Sequence, residues 1–207
     1  MNPQITILAF DTSAAHCAAA LLCKGQITTY FEEMQKGQAE RLIPMLEQVL
    51  AGQNIGWSDL NALAVGTGPG NFTGVRIAVA AARGLALGLA IPAIGVTRLQ
   101  ALAYGLPRPI TVIEDARRDA VYVQGFDDEP QTARLADRSS IGEVYPNLTG
   151  SAAGPSAIPA AMPLAEAILR IALARLAQQT AHPRPAPFYL RGADAAPPSD
   201  PPPVILP

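Results

Sequence analysis

The sequence has little of what most functional classes require. Two cysteines occur in 207 residues, Cys17 and Cys23. Six apart on what reads as one strand, they cannot pair within an extended segment, and there is no second pair for zinc. They read as reduced packing residues. Histidine is equally scarce: His16 and His182 are the only two, neither in an HExxH or HxxxH setting, which leaves a metallopeptidase site nothing to stand on. There is no GxSxG elbow, and a Ser/His/Asp triad could be drawn only by arbitrary selection. Basic excess is missing too, with 15 Lys and Arg against 17 Asp and Glu and a net charge of −2. That balance does not suit a chain that grips nucleic acid alone, so any RNA would be held by another chain. No positive charge precedes the first apolar run, so no signal peptide is expected. The longest apolar tract, 75–96, holds Arg76, Arg83, three glycines and Pro92, and reads as a buried helix and a strand rather than a membrane span. The expectation is a soluble cytoplasmic protein, long enough for one large domain or two small subdomains.

What is present is organised around residues 62–96. Small and apolar residues from Ala62 to Val65 run into a loop with Gly66, Gly68, Pro69, Gly70 and Gly74, and an Ala/Leu-rich stretch follows. This is a strand, a glycine turn and a helix start, with Thr73 placed to cap the helix. Free amides at a helix N-terminus can hold a phosphate or carboxylate. The Walker pattern fails, because Val75 and Arg76 follow Gly74, and the dinucleotide fingerprint fails at Asn71. Anion binding and a purely structural turn both stay open.

Around this stretch the runs 5–10, 17–23 and 26–31 predict an antiparallel three-stranded meander. Residues 37–53 switch to helical period through Leu42, Ile43, Met45, Leu46, Val49 and Leu50. Pro44 is tolerable there if the helix begins near Arg41. A strand at 91–96 and a short helix capped by Thr97 complete the pattern of a mixed sheet with helices on its faces. Strands at 110–114 and 120–126 flank a polar turn at 115–119, signals weaken over 131–163, and 164–178 is a helix. The tail from His182 is proline-rich.

Three constellations could carry function. Asp11, Thr12 and Ser13 end the first strand and could share a cleft with Gly68, Pro69 and Gly70. Read functionally, they form a nucleotide site in which Asp11 orients a metal-bound water; read structurally, they are an Asx turn. The helix after the loop combines small residues (Ala78, Ala81, Ala82, Gly84, Ala86, Gly88) with Val75, Val79, Leu85 and Leu89. It can pack on its own sheet or, together with the helix of Met45 and Val49, form a docking face. Arg117 and Arg118 are a solvated turn or a small anion contact.

Residues 11–22 (DTSAAHCAAALL), 66–96 (GTGPGNFTGVRIAVAAARGLALGLAIPAIGV), 114–123 (EDARRDAVYV) and 187–195 (PFYLRGADA) resemble the bacterial TsaB family, also called YeaZ. The resemblance covers nearly the whole chain. It implies an α/β fold of the actin-like ATPase (ASKHA) type, two RNase H-like subdomains with mixed sheets flanked by helices. The implied division is an N-terminal subdomain at 1–107, a smaller C-terminal one at 108–181 and a tail at 182–207. It further implies a non-catalytic role: pairing with the related subunit TsaD and, with TsaE, supporting threonylcarbamoyl transfer from the adenylate made by TsaC to the adenosine beside the anticodon (t6A) of tRNAs reading ANN codons. In the family two helices contact TsaD or a second copy of the chain, which would put Leu42, Met45, Leu46, Val49, Val75 and Val79 at or near the interface. No tightly bound cofactor or metal is implied, with weak ATP or ADP and magnesium at the partner interface left open. Departures from the family pattern are Gly37, Gln38, Ala39 and Glu40 in place of Arg-x-His-Ser, Asn71 for Ser, Ala78 for Gly, and an abbreviated 131–163. The rival from the enzyme class is a nucleotide-dependent ATPase or phosphotransferase using Asp11 and the Gly68 loop.

Overall fold

The computed structural model describes residues 5–141, 147–178 and 182–191, so the last part of the proline-rich tail lies outside the described residues. Strand β1 (Ile7–Asp11) is buried along its whole length. Its alternating side chains feed two cores: Leu8 and Phe10 meet Cys17, Ala19, Leu21 and Val65, while Ile7 and Ala9 meet Ala18, Ala20, Ala62 and Ala64. A strand apolar on both faces has to be covered on both.

Strands β2 (His16–Cys23) and β3 (Gln26–Glu33) form the expected antiparallel meander. Their turn is made by Lys24 and Gly25 at φ 51° and 77°, the left-handed pair that matches hairpin twist. On the other side β4 (Ala62–Gly66) and β5 (Ala93–Val96) add in parallel. The resulting order is β3-β2-β1-β4-β5. Helices α1 (Gln38–Ala51) and α2 (Phe72–Leu89) cover the face of Leu8 and Phe10.

Two local expectations are corrected. Helix α1 begins at Gln38 rather than near Arg41, so Pro44 lies inside it. The missing N–H is tolerated because Leu42, Met45, Leu46, Val49 and Leu50 are all buried on the sheet, and apolar burial outweighs one lost helical bond. Helix α2 starts early as well, and its cap is Asn71, whose Oδ1 accepts from Gly74 N at 3.0 Å; Thr73 is already within the first turn.

Helix α3 (Arg98–Ala103) carries the expected Thr97 cap, completed by Gln100, and stands between the two halves. Its Ala101 packs in the first sheet's core, while Leu99 and Ala103 pack with Ile110, Val112 and Tyr122. Those belong to a second sheet of β6 (Ile110–Asp115), β7 (Ala120–Phe126), β8 (Arg134–Asp137) and β9 (Leu148–Thr149), ordered β8-β7-β6-β9. Helix α4 (Leu164–Ala177) follows that sheet in sequence yet packs on the first one. Ile168, Leu169 and Ala172 settle against Ala9, Ala18, Ala20, Ala62 and Ala64, whose small side chains let the helix approach.

Both cysteines are free and buried. Burial, with Glu32 nearby, pushes the Cys17 thiol up to about 11, so it stays protonated and unreactive near neutrality. Iodoacetamide at pH 8 should leave Cys17 unlabelled in the native chain and label it in urea; labelling at equal rates in both would contradict this burial.

A candidate functional site closed by its own loops

Asp11 ends β1 with no exposed surface. Its Oδ1 accepts from Ser13 N (3.0 Å) and Ser13 Oγ (2.8 Å), and lies 2.9 Å from His16 Nε2. An ionised carboxylate only accepts, so Nε2 is the donor. Burial opposes ionisation, but the His16 hydrogen bond and the Arg98 charge outweigh it and hold Asp11 below the usual carboxylate range. Oδ2 sits over Gly66, where any Cβ would overlap it.

The glycine loop and the 11–13 turn do come together, but in direct contact. Thr12 Oγ1 donates to Gly74 O at 2.6 Å, and Asn71 N donates to Ser13 O at 2.6 Å. A Cβ on Gly70 would strike Ser13 O, and one on Gly74 would strike Thr12 O. These glycines let backbone approach backbone. Gly68, at φ 85°, turns the chain, and its carbonyl accepts from Arg98 N at 2.7 Å; the bond to Pro69 is cis. Asp11, Thr12 and Ser13 are buried, and the two loops occupy each other's space. This geometry does not fit a nucleotide phosphate between them. Among the described residues no group of three or more His, Cys, Asp or Glu side chains could hold a metal ion.

The charge facing Asp11 comes from elsewhere. Arg98, at the start of α3, donates Nε to Glu114 Oε2 at 2.6 Å, and Glu114 Oε1 accepts from Ser151 N at 2.6 Å. Burial favours a neutral guanidine, but Glu114 and Asp11 together raise Arg98 above its ordinary value. One buried arginine thus pairs with the Glu114 carboxylate of the second sheet and lends its charge to Asp11 of the first without bonding to it, Asp11 Oδ2 and Arg98 Nη1 both being buried with no hydrogen-bond partner. The sequence reading missed both Arg98 and Glu114. The available signal was a single charge in the apolar run 93–103.

The structure places the six expected interface residues on the sheet-facing sides of α1 and α2. Leu42, Met45, Leu46, Val49, Val75 and Val79 are each at most 4% exposed and face the chain's own sheet. Periodicity identified the apolar face of each helix, and that face is core. The outer face of α2 instead shows Ala80, Gly84, Gly88 and Leu87, the last 76% exposed. By length and composition α2 is the one helix among the described residues apolar enough to cross a membrane, yet only 28% of it is buried. Much apolar surface is left outside.

Comparison with known proteins fits this architecture. Residues 31–192 match a family model described as TsaD, tRNA N6-adenosine threonylcarbamoyltransferase. The tRNA threonylcarbamoyladenosine biosynthesis protein TsaB of Haemophilus influenzae is 38% identical over 69% of this chain and 60% of its own length. That of Escherichia coli is 40% identical over 56% of this chain and 52% of its own. The chain therefore spans between about half and three-fifths of the length of these curated relatives. The solved structure of YeaZ from Pseudomonas aeruginosa superposes with a TM-score of 0.76 at 30% identity, covering 90% of this chain and all of that one. Two mixed sheets flanked by helices, a family model over most of the chain and this structural match agree: the chain belongs to the TsaB (YeaZ) family, with its actin-like α/β fold.

Proposed function

We propose that this chain is a non-catalytic subunit required for threonylcarbamoyl transfer to the adenosine next to the anticodon in tRNAs reading ANN codons. It acts in the cytoplasm by binding the catalytic subunit TsaD, together with TsaE and with TsaC upstream. The observation that carries the reading is the filled cleft. In a chain whose relatives are named threonylcarbamoyladenosine biosynthesis proteins, the loops that could have held phosphate pack on each other, and Asp11 Oδ1 is taken up by His16 and Ser13. That favours a supporting subunit over an ATPase or phosphotransferase using Asp11.

The docking face in this reading is the outside of α2 with the adjoining edge of α1, where exposed Ala80, Gly84 and Gly88 admit a partner helix closely and Leu87 supplies apolar area. A second copy of the chain competes for the same face. The test is t6A in tRNA, measured by nucleoside mass spectrometry in a reconstitution with TsaC, TsaD and TsaE. Omitting the chain should abolish modification, and modification that proceeds without it would sink the proposal. Leu87→Glu should weaken TsaD binding at least about tenfold, the effect of losing one interface anchor. Because Leu87 is already 76% exposed, the melting temperature should stay within about 2 °C. Unchanged TsaD affinity would move the docking face elsewhere.

A further inference from the structure

The closed cleft has a mouth, and its chemistry differs from the rest of the surface. Segment 187–191 runs across it. Phe188 N donates to Thr67 O at 2.8 Å, and Tyr189 stacks on Phe72 with centroids 5.1 Å apart and planes at 29°. The Arg76 guanidinium lies 3.6 Å from the centre of the Phe72 ring and donates Nε to Tyr189 Oη at 2.8 Å. Both rings remain open to solvent, Phe72 39% and Tyr189 44% exposed. Two residues on, Arg191 Nη2 donates to Arg117 O at 3.2 Å, tying this segment to the tip between β6 and β7.

That tip is held in an unusual shape. Arg117, Arg118 and Asp119 have φ of 62°, 51° and 57°, three consecutive non-glycine residues in the left-handed region. Such a conformation costs about 1 kcal/mol or more per residue and persists where surrounding structure imposes it. Here it presents two exposed arginines. In a chain of net charge −2, Arg76 bonds Tyr189, and Arg191, two residues on, bonds the Arg117 carbonyl, so segment 187–191 links the start of α2 to the arginine tip; Asp115 beside that tip is paired with Arg138 at 2.8 Å. The first turn of α2 adds its helix dipole and carries no acidic residue.

We propose that this mouth, formed by Phe72, Arg76, Tyr189, Arg191, Arg117 and Arg118, is a contact surface for single-stranded RNA. Phe72 is covered by Tyr189 and Arg76, but the half-exposed Tyr189 ring, braced from behind by Phe72, suits a stacked base, and the arginine tip suits the phosphates that follow it. An acidic peptide would use the arginines but gain nothing from the stacked rings. That the RNA is tRNA rests on the proposed function; the contact chemistry does not. With few arginines, binding of RNA by the chain alone should be weak, measurable at low salt and strongly salt-dependent.

The test is fluorescence anisotropy with the full chain and a labelled unstructured RNA of about ten nucleotides. Inorganic polyphosphate serves as an anion without bases, and purified TsaD as the protein alternative. Tyr189→Leu should weaken RNA binding about tenfold, the loss of one stacked base, and leave polyphosphate binding within twofold. Arg117→Glu with Arg118→Glu should weaken both ligands and reduce the magnitude of the slope of log K against log salt by about 1.4, the value for two phosphates on a single strand. Circular dichroism should match the parent, showing that the variant is folded. No RNA binding, RNA binding unchanged in all variants, or charge reversal that weakens TsaD but not RNA would each overturn the proposal. If the parent fails to bind RNA while omission from the reconstitution still abolishes t6A, this inference falls and the proposed function stands. If RNA binds as expected and omission changes nothing, the contact surface stands and the role in t6A synthesis falls.

Discussion

Replacing Arg98 by alanine is expected to cost about 3–5 kcal/mol of folding stability, the range for removing one partner of a buried ion pair. The side chain is 17% exposed and Glu114 8%, while Asp11 is wholly buried, so solvent screens little of the interaction. Glu114 would be left in the interior without its ion-pair partner, and Asp11 would lose a nearby positive charge. A native domain has only about 5–15 kcal/mol to lose, so the variant should sit near the edge of folding. Arg98→Lys should recover part of the loss, since it keeps the charge but not the guanidinium fork toward Glu114. Urea unfolding measures all of these. A deficit under 1 kcal/mol for Arg98→Ala would show that the two halves do not depend on this bridge.

The same site gives the protein a signed response to acid. The Asp11 carboxylate is held below its usual range in the folded chain. A depressed acid contributes stability that is fully present above the unfolded-state pKa, about 3.9, and is lost as pH falls through the folded value. The parent should therefore lose stability below about pH 4. Arg98→Ala removes one of the charges that hold Asp11 down, so less stability is lost on protonating it and the gap between variant and parent should narrow over the same range.

Gly74→Ala should destabilise the chain by about 3 kcal/mol, the upper end for overpacking. Helix propensity alone would predict the opposite, a gain of up to about 1 kcal/mol from replacing a helical glycine. Contact decides between the two. The added methyl would strike the Thr12 carbonyl oxygen, and that backbone is held because Thr12 Oγ1 donates to Gly74 O at 2.6 Å. Gly84, three turns further along the same helix, has nothing within 4 Å of where its Cβ would stand. Gly84→Ala should therefore raise stability by about 0.5–1 kcal/mol. If both substitutions stabilise, the two loops are not in the contact described and the closed cleft is wrong.

Local chemistry was readable without the fold. The three-stranded meander, the Thr97 cap and the helical stretch from Leu164 are set by a few neighbouring residues, and the structure keeps each of them. The caps and helix starts that were missed, Asn71 for Thr73 and Gln38 for Arg41, are positions where several residues satisfy the same short-range rule and packing chooses among them. The candidate site was half readable: Asp11 and the glycine loop were named because each is marked locally, by an acid at a strand end and by glycines at a helix start.

Which groups those elements meet was settled elsewhere in the chain. Arg98 reaches Glu114 across 16 positions, Thr12 reaches Gly74 across 62, and Arg76 reaches Tyr189 across 113. No spacing rule encodes such separations. Periodicity gave the apolar faces of α1 and α2 but not what they cover, and they cover their own sheet, leaving Leu87 and the small residues outside. By itself the sequence determined most strands and helices outside 131–163 and the likeness to TsaB, which implied the two-sheet α/β class, because these rest on local propensity and contiguous motifs; β8 and β9 fell where its signals weaken. Only the tertiary structure decided that the cleft is filled, that one buried arginine pairs with Glu114 and lends its charge to Asp11, and that segment 187–191 links the start of α2 to the arginine tip at its mouth, because close packing of distant segments assigns each polar group its partner.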